Sequence, residues 1–117
     1  MGSMLFILNA APYGSEHTYN GLRLAGALAK RAEHKVRVFL MGDAASAAHR
    51  SQKVPQGYYN VEVMIGNVAR HGGQVAVCGT CMDARGIANE QLADGCTRGS
   101  LEELADWSEL SDKILVF

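Results

Sequence analysis

The chain has 117 residues and a formal net charge of -1; that is one domain's worth of polypeptide, without the basic surplus a generic nucleic-acid binder uses to displace phosphate counterions. A hydrophobic fraction of 48% with 20% charge speaks against a disordered chain, and no apolar run approaches the roughly 20 residues of a membrane span. Three cysteines are too few for a disulfide scaffold, so the expected compartment is the reducing cytoplasm.

Met1-Gly2-Ser3 ahead of a second methionine reads as a cloning scar with no basic signal-peptide region, which leaves 4–117 as a single expected domain. Met4 to Asn9 is a short continuous apolar run, suited to a strand buried on both faces. Ala10 to Gly14 breaks it, and Ser15 is positioned as an N-cap with Glu16 in the first turn. The helix that follows carries Leu22, Leu24, Ala25, Leu28 and Ala29 and ends near Lys30-Arg31. Lys35 to Met41 is the second predicted strand, followed by Gly42-Asp43 and a short helix over Ala44 to His49.

Ser51 to Gly57 is irregular, with Pro55 and Gly57, and is placed after a strand's C-terminal end, where ligand-facing loops of α/β proteins gather. Val61, Met64, Ile65, Val68 and Ala69 then form a helical stripe ended by His71-Gly72-Gly73. Gln74 to Cys78 is a third strand, with the turn Gly79-Thr80 and a helix predicted from near Cys81 to about Asp94-Gly95. A short fourth strand falls near Cys96-Thr97. Ser100 to Glu103 is a capping box opening a helix with Leu104 and Trp107, and Lys113 to Phe117 is the last strand. This alternation predicts an α/β fold, a parallel sheet with helices on both faces; the strand order does not follow from the pattern.

Charge is divided along the chain. Residues 1–70 carry 8 Lys/Arg against 4 Asp/Glu, a net +4, and residues 71–117 carry 3 against 8, a net -5. The division suits either two solvated faces or complementary patches used in association.

Cys78-Gly79-Thr80-Cys81-Met82-Asp83-Ala84-Arg85-Gly86 carries the chemistry. Cys78 ends a predicted parallel strand and Cys81 lies near the start of the next helix, where free backbone N–H groups favour a thiolate. Arg85, one turn on, adds positive charge. Inert packing of both thiols, a thioredoxin-like dithiol, and a zinc site completed by Cys96 and one of His17, His34, His49 or His71 stay open beside this reading. Cys96 itself reads as structural. His17 and Asp43 fall on the same sheet edge as Cys78, and Tyr13, Tyr58 and Tyr59 are candidates to line a pocket there. The first loop matches neither GxGxxG nor GxxxxGK[ST], so no nucleotide cofactor is expected.

Four segments together resemble the DsrE/DsrF-like (TusD-type) family of small sulfur-relay proteins: the opening strand with its Pro-Tyr-Gly loop and helix, VFLMGDA, VCGTCMDARGI, and GSLEELADWSELSDKILVF. The resemblance implies a three-layer α/β/α domain with a five-stranded parallel sheet, acting in a homo- or hetero-oligomer such as a trimer or hexamer. It also implies a cysteine that accepts sulfane sulfur as a persulfide from a donor protein and passes it to an acceptor. Counting back from Arg85-Gly86, that cysteine is Cys78. Cys81 is not shared by all sulfur-carrying members; it either assists transfer or attacks Cys78 and discharges the sulfur. The contrasting expectation is a non-catalytic oligomeric or partner-binding protein.

Overall fold

The computed structural model describes residues 2–31 and 33–117. In chain order these form β1 (Gly2–Leu8), α1 (His17–Ala29), β2 (His34–Leu40), a 3-10 segment (Gly42–Ala48), α2 (Val61–Arg70), β3 (Gln74–Cys78), α3 (Gly79–Ala84), a 3-10 turn (Asn89–Gln91), β4 (Cys96–Gly99), α4 (Leu101–Leu110) and β5 (Lys113–Val116). The strands make one parallel sheet in the order β4-β3-β2-β1-β5. From β1 to β4 the chain steps in one direction, so right-handed crossovers put α1, α2 and α3 on one face. The return from β4 to β5 reverses the step and puts α4 on the other.

Each face has its own core. Phe6, Leu8, Val36, Val38 and Leu40 meet Leu22, Ala25, Ile65 and Val68 beneath α1 and α2, while Leu5, Phe39 and Ala76 meet Leu104 and Trp107 of α4. Alternate residues of one strand serve opposite cores. The expected continuous apolar strands follow from this two-sided burial.

β1 starts at Gly2, which pairs with His34, and the Ser3 N–H donates to Asp112 Oδ2 at 2.8 Å. Gly2 and Ser3 are therefore strand residues. The Ser15 cap is displaced: α1 begins at His17, with Glu16 at its N-cap position and no side-chain cap. The Asn20 N–H closes the first turn on the Glu16 carbonyl at 2.8 Å, and Ser15 Oγ receives only a long 3.4 Å contact from the His17 N–H. The helix predicted to run to Asp94-Gly95 ends at Ala84. Gly86 takes φ +65, its N–H meets Asp83 O, and the Ile87 N–H meets Met82 O at 2.9 Å, a Schellman closure that buries Ile87.

At α2 the N-cap is Asn60, whose Oδ1 accepts from the Glu62 and Val63 N–H groups at 2.9 and 3.3 Å. Asn60→Ala is expected to cost about 1 kcal/mol in urea unfolding, with Asn60→Asp recovering most of it. The Ser100 half of the predicted capping box forms at α4, where Ser100 Oγ accepts from the Glu103 N–H at 3.2 Å.

The sheet reverses its winding between β1 and β5, the place where open α/β sheets commonly bind ligands. Here Phe117 occupies it. The Asn9 N–H bonds to Phe117 O at 2.9 Å, and the Phe117 ring stacks on Phe6 at 6.2 Å. Gly21 is held against this plug, since a Cβ there would meet Leu8 Cδ2 at 2.5 Å and the Phe117 ring at 3.2 Å. A cleft opens instead beyond the C-terminal ends of β2 and β3.

Candidate functional site

β3 buries Val75, Ala76 and Val77 completely or nearly so and then surfaces at Cys78. The strand passes directly into α3, with Cys78 as N-cap and Cys81 at the third helical position. The helix thus starts two residues before the position expected from sequence. Cys78 and Cys81 are both half-buried free thiols. They look toward different cores: Cys78 packs with the α4 layer and Cys81 with the α1/α2 layer.

A cleft of about 480 Å³ opens over Cys78, lined by Phe39, Met41, Thr80, Cys81, Arg98 and Leu101, with Gly79, Gly99 and Ser100. Its position follows from register. Phe39 pairs with Ala76 across β2 and β3, so Met41 lies beside Cys78 on the same face. Leu101, the first residue of α4, is largely exposed at the rim.

Around the thiols the polar contacts are specific. Thr80 Oγ1 is 3.2 Å from Cys78 Sγ. Burial opposes ionisation of Cys78, but hydrogen bonds from the Cys81 thiol, the Thr80 hydroxyl and the backbone N–H groups of both residues outweigh it, holding this thiol below its ordinary value. Cys81 moves the other way. Burial and the hydrogen bond it gives Cys78 raise it, against the Gly42 N–H, which donates to Cys81 Sγ at 3.2 Å, and the Arg85 charge. One sulfur is set up to carry the negative charge and its neighbour to hold the proton.

Two guanidinium groups flank the pair. Arg85 donates to Asp43 Oδ1 at 2.8 Å and to the Cys81 carbonyl at 3.1 Å. Arg98 makes a two-pronged bond to Asp83, both contacts at 2.9 Å. Arg98 was not legible as a site residue, because only the β3–β4 pairing brings it beside α3. A Cβ at Gly79 would meet the Arg98 guanidinium at 2.8 Å, so a side chain there would displace the end of Arg98. Phe39 and Met41 were discoverable from the alternation in VFLM.

The other candidates lie apart from the cleft. His17 is exposed at the start of α1. Tyr59 stacks with Tyr13, Tyr19 and Tyr58, and Tyr19, Tyr58 and Tyr59 line a separate hollow with Ser15 and Glu16. The Ser51–Gly57 loop is tied down by Glu62, which accepts from the Ser51 and Gln52 N–H groups, and by Gln52 Nε2, which donates to the Ala47 and His49 carbonyls. Cys96 opens β4 and packs into the α1/α2 core; burial, with Glu62 and Asp94 nearby, pushes its thiol up to about 12. Among the described residues no three His, Cys, Asp or Glu side chains come together as a metal-holding group. No helix among them is long and apolar enough to cross a membrane.

The family model described as "DsrE/DsrF-like family" matches residues 2–117. The chain is 42% identical to "Protein YchN" of Escherichia coli (strain K12) over 118 residues, covering 100% of both. The crystal structure of that E. coli protein superposes with a TM-score of 0.94 over 100% of both chains. "Uncharacterized protein MJ0989" of Methanocaldococcus jannaschii is 33% identical over 95% of this chain and 96% of its own length. A protein of unknown function from Methanobacterium thermoautotrophicum, MTH1491, shares the fold alone, with a TM-score of 0.74 at 12% identity over 98% of this chain and 99% of that one.

Proposed function

The chain belongs to the DsrE/DsrF-like family, and from that premise we propose that it carries sulfane sulfur as a persulfide on Cys78. The observation that supports this reading is a half-buried thiol, lowered below its ordinary value, at the floor of an apolar cleft. The Cys78 thiolate attacks the terminal sulfur of a donor persulfide; the new S–S bond forms as the donor's breaks, and the donor leaves as a thiolate. An acceptor thiolate then attacks the same terminal sulfur and Cys78 leaves in turn. Thr80 and the α3 N–H groups that favour the thiolate favour it again as leaving group. Arg85 and Arg98 offset the negative charge of the loaded state.

The donor and acceptor are taken to be proteins, and the chain to work as a homo-oligomer in the cytoplasm. The α4/β5 side supports association: Leu101, Leu110, Ile114 and Val116 are all exposed where one helix alone covers the sheet. Native mass spectrometry is expected to give a multiple of the chain mass.

Incubation with inorganic polysulfide followed by intact mass measurement tests the carrier role. Immediately after loading, the wild type is expected to carry one added sulfur atom, and Cys78→Ser none. Loss of the adduct in Cys81→Ser but not in Cys78→Ser would reverse the assignment.

A further inference from the structure

We propose that Cys81 is a resolving thiol, which attacks a sulfur-loaded Cys78 and expels the sulfane sulfur as hydrosulfide. This rests on Cys78 being the loaded residue and adds a second outcome to its chemistry, release without an acceptor.

The geometry carries it. Cys78 at the N-cap and Cys81 at the third helical residue are one turn apart in α3, a spacing at which an N-cap side chain meets the third residue's backbone. Both thiols line the cleft where an outside sulfur arrives, Cys78 packed with the α4 layer and Cys81 against the α1/α2 core. The Gly42 N–H, 3.2 Å from Cys81 Sγ, is a fixed donor for the thiolate that must form. Arg85, anchored on Asp43 and on the Cys81 carbonyl, brings positive charge to the same turn. Cys96 is unsuited to this task, because it lies at the opposite end of its strand pair, at the Val75 level of β3 rather than the Cys78 level.

The step balances without an outside oxidant. Cys81 gives up its proton and attacks Cys78 Sγ; an Sγ–Sγ bond forms, and the bond from Cys78 Sγ to the sulfane sulfur breaks. That sulfur leaves with the electron pair and, once protonated, is hydrosulfide. The two cysteine sulfurs are oxidised to a disulfide and the sulfane sulfur is reduced. A dithiol reductant then reopens the disulfide by exchange. Sulfur delivered by an acceptor leaves Cys78 reduced, whereas sulfur released this way leaves the protein oxidised.

The test uses full-length wild type, Cys81→Ser and Cys81→Ala, loaded anaerobically with inorganic polysulfide and freed of excess. The wild type is expected to shed about one hydrosulfide per loaded chain and to finish two hydrogens lighter than the reduced protein. Peptide mapping should place the bond between Cys78 and Cys81, with dithiothreitol restoring the starting mass. The two variants are expected to keep the added sulfur at least about tenfold longer. Equal retention in all three proteins, without hydrosulfide, overturns the resolving role while leaving Cys78 carriage intact. Failure of every protein to take up sulfur overturns both. Agreement between Ser and Ala variants separates loss of the thiol from a folding defect.

Discussion

Iodoacetamide added to the native protein at about pH 8 is expected to modify Cys78 first and to leave Cys96 untouched until the chain unfolds. The alkylating species is the thiolate, so the three thiols are ranked by environment. At Cys96, a shift from the ordinary 9.0 to about 12 lowers the thiolate fraction, and hence the rate, by about 10³-fold. Its partial burial in the α1/α2 core slows it further. The pH profile of Cys78 alkylation should rise on the acid side of an ordinary thiol, because its hydrogen-bond donors favour the charged form. Thr80→Val removes one donor and should move that profile toward alkaline pH. Tandem mass spectrometry of partially alkylated protein gives the order directly, and early labelling of Cys96 contradicts it.

The sign at Cys96 also bears on stability. The folded state holds this proton to about pH 12, whereas an unfolded thiol loses it near 9.0. The contribution is therefore complete below the unfolded value and is lost as pH climbs through that window.

Phe39→Ala is expected to destabilise the protein by about 3–5 kcal/mol, a large share of the roughly 5–15 kcal/mol available to a domain. Phe39 is 1% exposed in an interior strand and packs edge-on to Trp107, with ring centroids 6.2 Å apart at 90°. Among the described residues only α4 covers this face, and its two buried residues, Leu104 and Trp107, both belong to the Phe39 cluster. Few neighbours are free to fill the space. The same ring is a wall of the cleft, so Cys78 should also become more readily alkylated in the folded variant. Phe39→Leu, which keeps most of the apolar volume, should lose much less. Urea unfolding measures both; a loss below about 1 kcal/mol for the alanine variant would show that α4 settles into the gap.

The parallel α/β character was legible because both-face burial writes itself as unbroken apolar runs, as in Val75 to Val77. Helix ends were less legible. Gly86 was visible as a weak point, but only the paired bonds at Gly86 and Ile87 make it the terminus rather than an interruption. Ser15 had the chemistry of a cap and lacked the placement, since the loop after β1 delivers the chain to the helix one residue later.

By itself the sequence determined an α/β fold of the DsrE/DsrF-like family, and that two thiols share the end of a strand. Those properties are local: they depend on residue order, on periodicity and on a three-residue spacing. Only the tertiary structure decided that both sulfurs line one cleft and that Cys81 is backed by the Gly42 N–H, that Arg98 reaches this turn, and that Phe117 plugs the crevice at the winding reversal. Each of these depends on which strands are neighbours and in what register. Hydrogen-bonded pairing between segments tens of residues apart sets that, and no short stretch of sequence contains it.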